Sequence, residues 1–419
     1  MRPVPLAVAL GIALAGCVAK APSPAPEAPE ETPPWLAALP ALEGCNRCFE
    51  ASVAVDDAGR IVATVEEGEA LAVSEDGGAT FAAVAAPPLP ATLLGSGRTD
   101  ALVEAAPDGR LLYSALVQEL TEGAVAQWSL QAATSQDGGR TWLTNVFLSP
   151  FLLPATLPVS ADRQWFVAGT DGAAYIVWGH YAGSLDLPTG WQTLGTGLYV
   201  LASKDGGRTF GQPVLAASKA QDGALGAGHP VVRRDGSLWV PYATSGFPSG
   251  RVNLRTDYPV AAAVSTDGGA TFQSHVLHQD PAGFVAIWPF LAERDGKLAL
   301  AWWDLRGNGT IQGLDLEAGA APVQWGGPNA TKGPWVSPDA STIAWWQAQG
   351  KEYALHIARP LLGRDDVVAG PLQGMPGRGP SDFAAVALLP DGRAVTAWGD
   401  GEGTLWVRAE APRIGAPLA

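Results

Sequence analysis

Two short clusters hold side chains suited to gripping a sugar or another anion. Asp162-Arg163-Gln164-Trp165 and Trp302-Trp303-Asp304-Leu305-Arg306 each set an arginine beside a carboxylate and an indole. A guanidinium fork meets a carboxylate through paired hydrogen bonds, and an indole supplies a flat wall for a ring to stack on. His180 and His229 carry the side chain that titrates near neutrality, although a solitary histidine is more often a hydrogen-bonded loop residue. Cys45-Asn46-Arg47-Cys48 places two thiols at CxxC spacing. No histidine follows, which excludes haem attachment, and two thiols are too few for a zinc site. No metal-ligand spacing emerges elsewhere, and no cofactor is implied.

Composition limits what can position these groups. Of 419 residues, 47% are hydrophobic and only 16% charged, so the chain is packed and not disordered. Its 51 glycines and 35 prolines demand many turns, which points to short strands and away from a helical bundle. A formal charge of −15 repels phosphate backbones and argues against a nucleic-acid partner.

Residues 1–16 read as a signal peptide: Arg2, then an apolar run from Val4 to Ala15 too short to span a bilayer. Leu14-Ala15-Gly16-Cys17 resembles the lipobox of bacterial lipoproteins, which implies acylation of Cys17 and a lipid anchor. Val18 after the cysteine points to the outer membrane if the cell is Gram-negative. Residues 17–41, rich in Pro, Ala and Glu, form a semi-rigid tether. In an exported protein a short disulfide is the natural state of Cys45 and Cys48, and it would pin Arg47.

From about residue 42 to 419 the chain repeats. Ser74-Glu-Asp-Gly-Gly-Ala-Thr-Phe81, Ser135-Gln-Asp-Gly-Gly-Arg-Thr-Trp142, Ser203-Lys-Asp-Gly-Gly-Arg-Thr-Phe210 and Ser265-Thr-Asp-Gly-Gly-Ala-Thr-Phe272 follow and precede apolar runs, so each closes a β-hairpin. Asp76, Asp137, Asp205 and Asp267 are expected to accept backbone N–H bonds inside these turns, with glycines supplying positive φ. A second series of turns, centred on Gly59, Gly109, Gly172, Gly236, Gly296 and Gly392, interleaves with the first, and Ser337-Pro-Asp-Ala fills the one gap. A period of this size means radial or linear repetition. The expectation is an all-β, seven-bladed β-propeller with four antiparallel strands per blade. Both turn types then share one face, and Arg47, Arg98, Asp100, Asp162, Arg163, His229, Trp288, Trp335 and Asp382 lead into the innermost strands at the other.

The four eight-residue turns resemble the Asp-box of the sialidase superfamily and related BNR-repeat propellers. Sialidases have six blades, so a six-bladed propeller is the alternative. The resemblance implies three arginines around a carboxylate, here Arg47, Arg163 and Arg306, with Asp162, Asp304 and His229 beside them. It also implies a carboxylic acid, Asp100, and a tyrosine nucleophile, Tyr181, with Tyr258 as substitute. The Arg-Ile-Pro element of the family is absent; Arg60-Ile61-Val62 follows a turn at the wrong end of its blade. Whether the protein is an enzyme therefore stays open at this stage. The expected partner is a glycan or anionic small molecule bound at the channel mouth, with hydrolysis as a further capacity. The alternative is a non-catalytic scaffold that docks an envelope protein.

Overall fold

Each repeat folds as a four-stranded antiparallel sheet, because its apolar runs are separated by turns tight enough to reverse the chain. The computed structural model describes residues 35–45, 48–90, 97–121, 124–148, 159–182, 184–187, 190–193, 196–218, 224–244, 259–279, 286–306, 308–316, 321–360, 363–373, 381, 383–400 and 402–412. The signal peptide, Cys17, most of the tether, Arg47, Tyr258 and Asp382 lie outside the described residues.

Seven such sheets succeed one another. Blade 1 begins with Ser52–Val55, blade 2 with Gly97–Ala105 and blade 3 with Val159–Ala168. Blade 4 has a broken inner edge, Ala224–Ala227 and Val231–Val232, both paired to Leu238–Thr244. Blades 5, 6 and 7 begin with Ala286–Arg294, Ala330–Val336 and Ala385–Leu388. The count settles the architecture at seven blades; the six-bladed alternative is wrong. Six blades could not absorb the unit built around Ser337-Pro-Asp339, whose turn joins the first two strands of blade 6.

Central strands such as Ile61–Thr64 and Val260–Ser265 are buried along their whole length. Both faces of a blade pack on its neighbours, so alternation gives way to continuous apolar sequence. Trp178, Trp302, Trp345 and Trp346 are among the largest fully buried side chains.

The turns follow their sequence chemistry. Asp76 Oδ1 accepts the backbone N–H of Ala79 and of Thr80 at 3.0 and 2.9 Å, and Oδ2 accepts the Thr80 hydroxyl at 2.6 Å. Ser74 donates to Asp76 and accepts from Gly78 N. Gly77 and Gly78 hold φ of 70° and 91°. These bonds favour the ionised carboxylate: Thr80 and its own turn pull Asp76 down to about 2, and Thr271 does the same for Asp267.

Closure uses the N-terminus. Leu39–Glu43 pairs antiparallel with Thr404–Ala409 and forms the outermost strand of blade 7, and Trp35 bridges Glu410. The Trp35–Leu39 segment, within the expected tether, is extended, and its strand runs a few residues further on. Trp35 Nε1 donates to Asp366 of blade 6 at 3.3 Å, while buried Glu410 takes Arg359 at 2.6 Å, so the seam is held by polar bonds as well as by pairing.

Candidate functional site

One backbone device, repeated around the channel, decides what the upper rim presents. Three residues of the inner strand span two of its partner at Thr99/Leu102, Asp162/Trp165, Ile287/Phe290 and Lys332/Trp335. Each is a β-bulge, and a bulge re-aims a side chain where pairing would otherwise fix it. The extra residue is left-handed in each: Asp100 at φ 52°, Arg163 at 52°, Trp288 at 51° and Gly333 at 109°. Glu50, at the corresponding place in blade 1, has φ 49°. Non-glycine residues pay of order 1–3 kcal/mol for that conformation, so four of them at equivalent places mark a rim whose side chains matter.

On blades 1 to 3 this rim is acidic. Asp100 is partly buried, and Glu50 and Glu66 are buried beside it. Thr99 Oγ1 lies 3.0 Å from Asp100 Oδ1 and 3.1 Å from Glu66 Oε1. Burial, with the charge of Asp162 next, pushes the Asp100 carboxyl up to about 6, against the opposing hydrogen bonds from Glu50 and Thr99. A carboxyl group that keeps its proton up to about pH 6, well past the usual carboxylate range, is suited to donating that proton to a leaving oxygen in mildly acidic solution. Buried Gln164 donates its amide to the Asp100 carbonyl and ties blade 3 to blade 2 at this point.

Across the rim the groups are cationic and aromatic. The Arg163 guanidinium lies 4.0 Å from the centroid of Trp288 and 5.2 Å from that of Phe383. Lys332 Nζ lies 4.9 Å from the same Trp288 ring, which in turn packs on Trp303 at 5.6 Å. Two cations from blades 3 and 6 thus meet on one indole of blade 5. A guanidinium stacks on an indole through its face while its N–H groups lie in the plane of the fork.

Below the rim the channel is plugged. Trp165, His229, Phe290, Trp335 and Phe383, from five different blades, pack ring against ring. His229 stacks on Phe290 at 4.0 Å with the planes 2° apart, and Gly228 makes this possible, since a Cβ there would run into the Pro289 carbonyl. His229 Nε2 sits 2.9 Å from Glu104 Oε1. Just above the plug a void of about 20 Å³ remains, room for one water.

The structure distributes the sequence-predicted residues as follows. Asp100, Asp162 and Arg163 come together on blades 2 and 3. Asp304 and Arg306 pair with each other on blade 5, Nη2 to Oδ2 at 2.6 Å and Nε to both oxygens at 3.1 and 2.9 Å. Asp304 is buried and its arginine exposed. Tyr181 is paired through its backbone with Ser160 and Thr196, and its side chain lies outside the described residues. His229 sits at the depth of the plug and not on the rim, and so does Trp335. Cys45 and Cys48 are disulfide-bonded, with Cα atoms 5.6 Å apart. Sequence reasoning passed over Glu50, Lys332, Phe383 and Glu104. A signal existed for part of the plug: Trp165, Phe290 and Trp335 each stand two residues after the bulged rim residue.

These features define a closed seven-bladed β-propeller whose channel is blocked midway and whose upper rim opposes carboxylates to stacked cations. No protein-family model matches the chain, and no curated protein matches it. Among solved structures it is similar to Trypanosoma rangeli sialidase, at 14% identity and a TM-score of 0.49, over 88% of this chain and 59% of that one. The chain thus spans less than two thirds of that sialidase. It is also similar to a Penicillium chrysogenum alpha-L-arabinanase complexed with arabinobiose, at 15% identity and a TM-score of 0.49, over 90% and 98% of the two chains. A third is the intramolecular trans-sialidase from Ruminococcus gnavus, at 10% identity and a TM-score of 0.45, over 74% and 95%.

Proposed function

We propose that the upper rim binds an acidic glycan. Arg163 and Lys332 take its carboxylate, Trp288 and Trp303 take a sugar face, and Asp100 stands ready to protonate a glycosidic oxygen. The observation that supports this most directly is the pair of cations stacked on Trp288 across the rim from a carboxyl group held near pKa 6. Both cations are partly buried, and a hydrogen bond to a charged group is stronger there than at an open surface. Hydrolysis is a second capacity of the same reading. Glycosidases need an acid on one side of the bond and a nucleophile or base on the other, and Tyr181, or Asp162 acting on a water, would fill that place.

The test is a panel of fluorogenic sialosides, uronides and neutral glycosides, with binding followed by calorimetry. Arg163→Ala is expected to weaken an acidic ligand about 10- to 100-fold, the loss of one or two charge-assisted bonds. Asp100→Asn is expected to keep binding and abolish any turnover. Unchanged affinity in both Arg163→Ala and Lys332→Ala would overturn the reading and favour the protein-docking scaffold.

The same proposal places the protein outside the cytoplasm on a lipid anchor at Cys17. The lipobox-like sequence supports it, and so does the Cys45–Cys48 disulfide, which suits an oxidising compartment. Metabolic labelling with a radioactive fatty acid checks it: wild type is labelled and Cys17→Ala is not.

A further inference from the structure

The plug leaves a second chamber, open toward the opposite face. Below the aromatic rings the channel encloses about 430 Å³, within the range of small-ligand sites. Its wall is the lower half of the seven inner strands, made of small apolar residues such as Val53, Ala168, Val232, Ala292 and Ala387. Its roof is different. There Phe290, Trp335 and His229 meet Glu104, whose carboxylate has His229 as its only hydrogen-bond partner among the described residues. The Glu104 side chain is 18% exposed although it lies deep in the molecule. Among the described residues that line the chamber, the other carboxylates are Glu293 and Asp339 and the one Arg or Lys is Arg234, which leaves an excess of negative charge.

A carboxylate among aromatic rings at the blind end of an apolar barrel is the recognition chemistry of an organic cation. The rings attract positive charge through their quadrupoles and the carboxylate through its charge, and a site recessed in the channel is screened less than one on an open surface. An anion would meet Glu104 with no compensating donor except His229. A wholly apolar guest would leave the free carboxylate oxygen desolvated, which costs more than the extra contact returns. We infer that the lower chamber binds a small organic ammonium ion, its charge set against Glu104, Phe290 and Trp335 and its apolar body filling the barrel. This site lies at the other end of the channel from the rim and does not depend on the glycan reading.

The probe is benzyltrimethylammonium, titrated into the full chain and followed by ligand-observed NMR and tryptophan fluorescence. Its comparison compounds are neopentylbenzene, the uncharged carbon isostere, and benzoate. The ammonium is expected to bind saturably, at least tenfold tighter than the isostere, with no binding of benzoate. Glu104→Gln, which keeps shape and removes charge, is expected to weaken the ammonium at least tenfold and leave the isostere unchanged. Ala387→Phe, which fills the barrel from blade 7, is expected to abolish both. Absence of saturable binding by the ammonium, equal binding of benzoate, or indifference to Glu104→Gln overturns the inference. The Gln variant decides the question even if Ala387→Phe fails to fold.

Discussion

Asp100 gives the rim a stability signature that can be measured without knowing the ligand. Its carboxyl is raised from 3.8 to about 6 by burial and by the neighbouring charge of Asp162. Below pH 3.8 the group is protonated in both folded and unfolded chains and contributes no penalty. Between 3.8 and 6 the unfolded chain loses its proton more readily, so stability falls; above 6 the penalty is constant. At about 1.4 kcal/mol per pKa unit, it amounts to about 3 kcal/mol. Asp100→Asn removes the charge, and Asn tolerates the left-handed backbone at least as well as Asp. With an unfolding entropy of about 2 cal/mol/K per residue over roughly 380 residues, the variant is expected to melt about 4 °C above wild type at pH 7.5. At pH 4 the gap should shrink to about 1 °C or less. Scanning fluorimetry of the tryptophans from pH 4 to 8 reads this directly, and Asp162→Asn should produce a smaller gain over the same window. Melting curves that stay parallel across that range would refute the claim that Asp100 is ionised at a cost.

In the turns the sign reverses. Asp76 and Asp267 are depressed to about 2, so their contribution is present above pH 3.8 and lost as pH falls toward 2; an acid titration of wild type should show that limb, and Asp76→Asn should flatten it. Asp137→Ala removes the acceptor for Thr141 N and Oγ1 and should cost about 1–2 kcal/mol by denaturant unfolding, with ligand affinity at the rim unchanged. Glu410→Ala removes the carboxylate that pairs Arg359 and accepts the Ala394 N–H, leaves Arg359 the Gly392 carbonyl, and should cost about 3 kcal/mol, read as a lower midpoint in urea. Trp335→Ala should cost about 3–5 kcal/mol and join the two chambers, which faster quenching of the remaining tryptophans by acrylamide would report.

Most of the architecture was legible because it is written in turns. An Asp-box or an Asp-Gly pair requires particular residues at particular places, so seven units can be counted even where Ser337-Pro-Asp339 replaces the usual sequence. The site was less legible, because it depends on an insertion of one residue that has no composition of its own. Nothing in Ile287-Trp288-Pro289-Phe290 announces that Trp288 adopts a left-handed φ, and Asp100 and Arg163 look like ordinary loop charges until the bulge turns them toward one rim. Glu104 was harder still. It lies in an inner strand, and only the closing of all seven blades shows that its side chain faces a channel. His229, expected at the channel mouth, lies in the plug instead: Gly228 lets its strand approach blade 5, and the ring follows the backbone inward.

The plug ties these observations together. Trp165, His229, Phe290, Trp335 and Phe383 come from five blades, so no single blade can move without disturbing rings contributed by others, and packed interiors resist such shifts. The rim and the lower chamber therefore share a wall and not a volume. Carboxylates stand at both ends, but the rim sets Arg163 and Lys332 against its own, whereas the lower chamber sets Glu104, Glu293 and Asp339 against Arg234. A uniformly negative surface would need neither a stacked pair of cations at one end nor a partly exposed carboxylate set among aromatic rings at the other. Each arrangement costs backbone strain or the partial burial of charge that a purely structural channel would avoid by filling with apolar side chains, as the spaces between the blades do. That cost, spent separately at both ends of one plugged channel, is the physical argument for two sites of different preference.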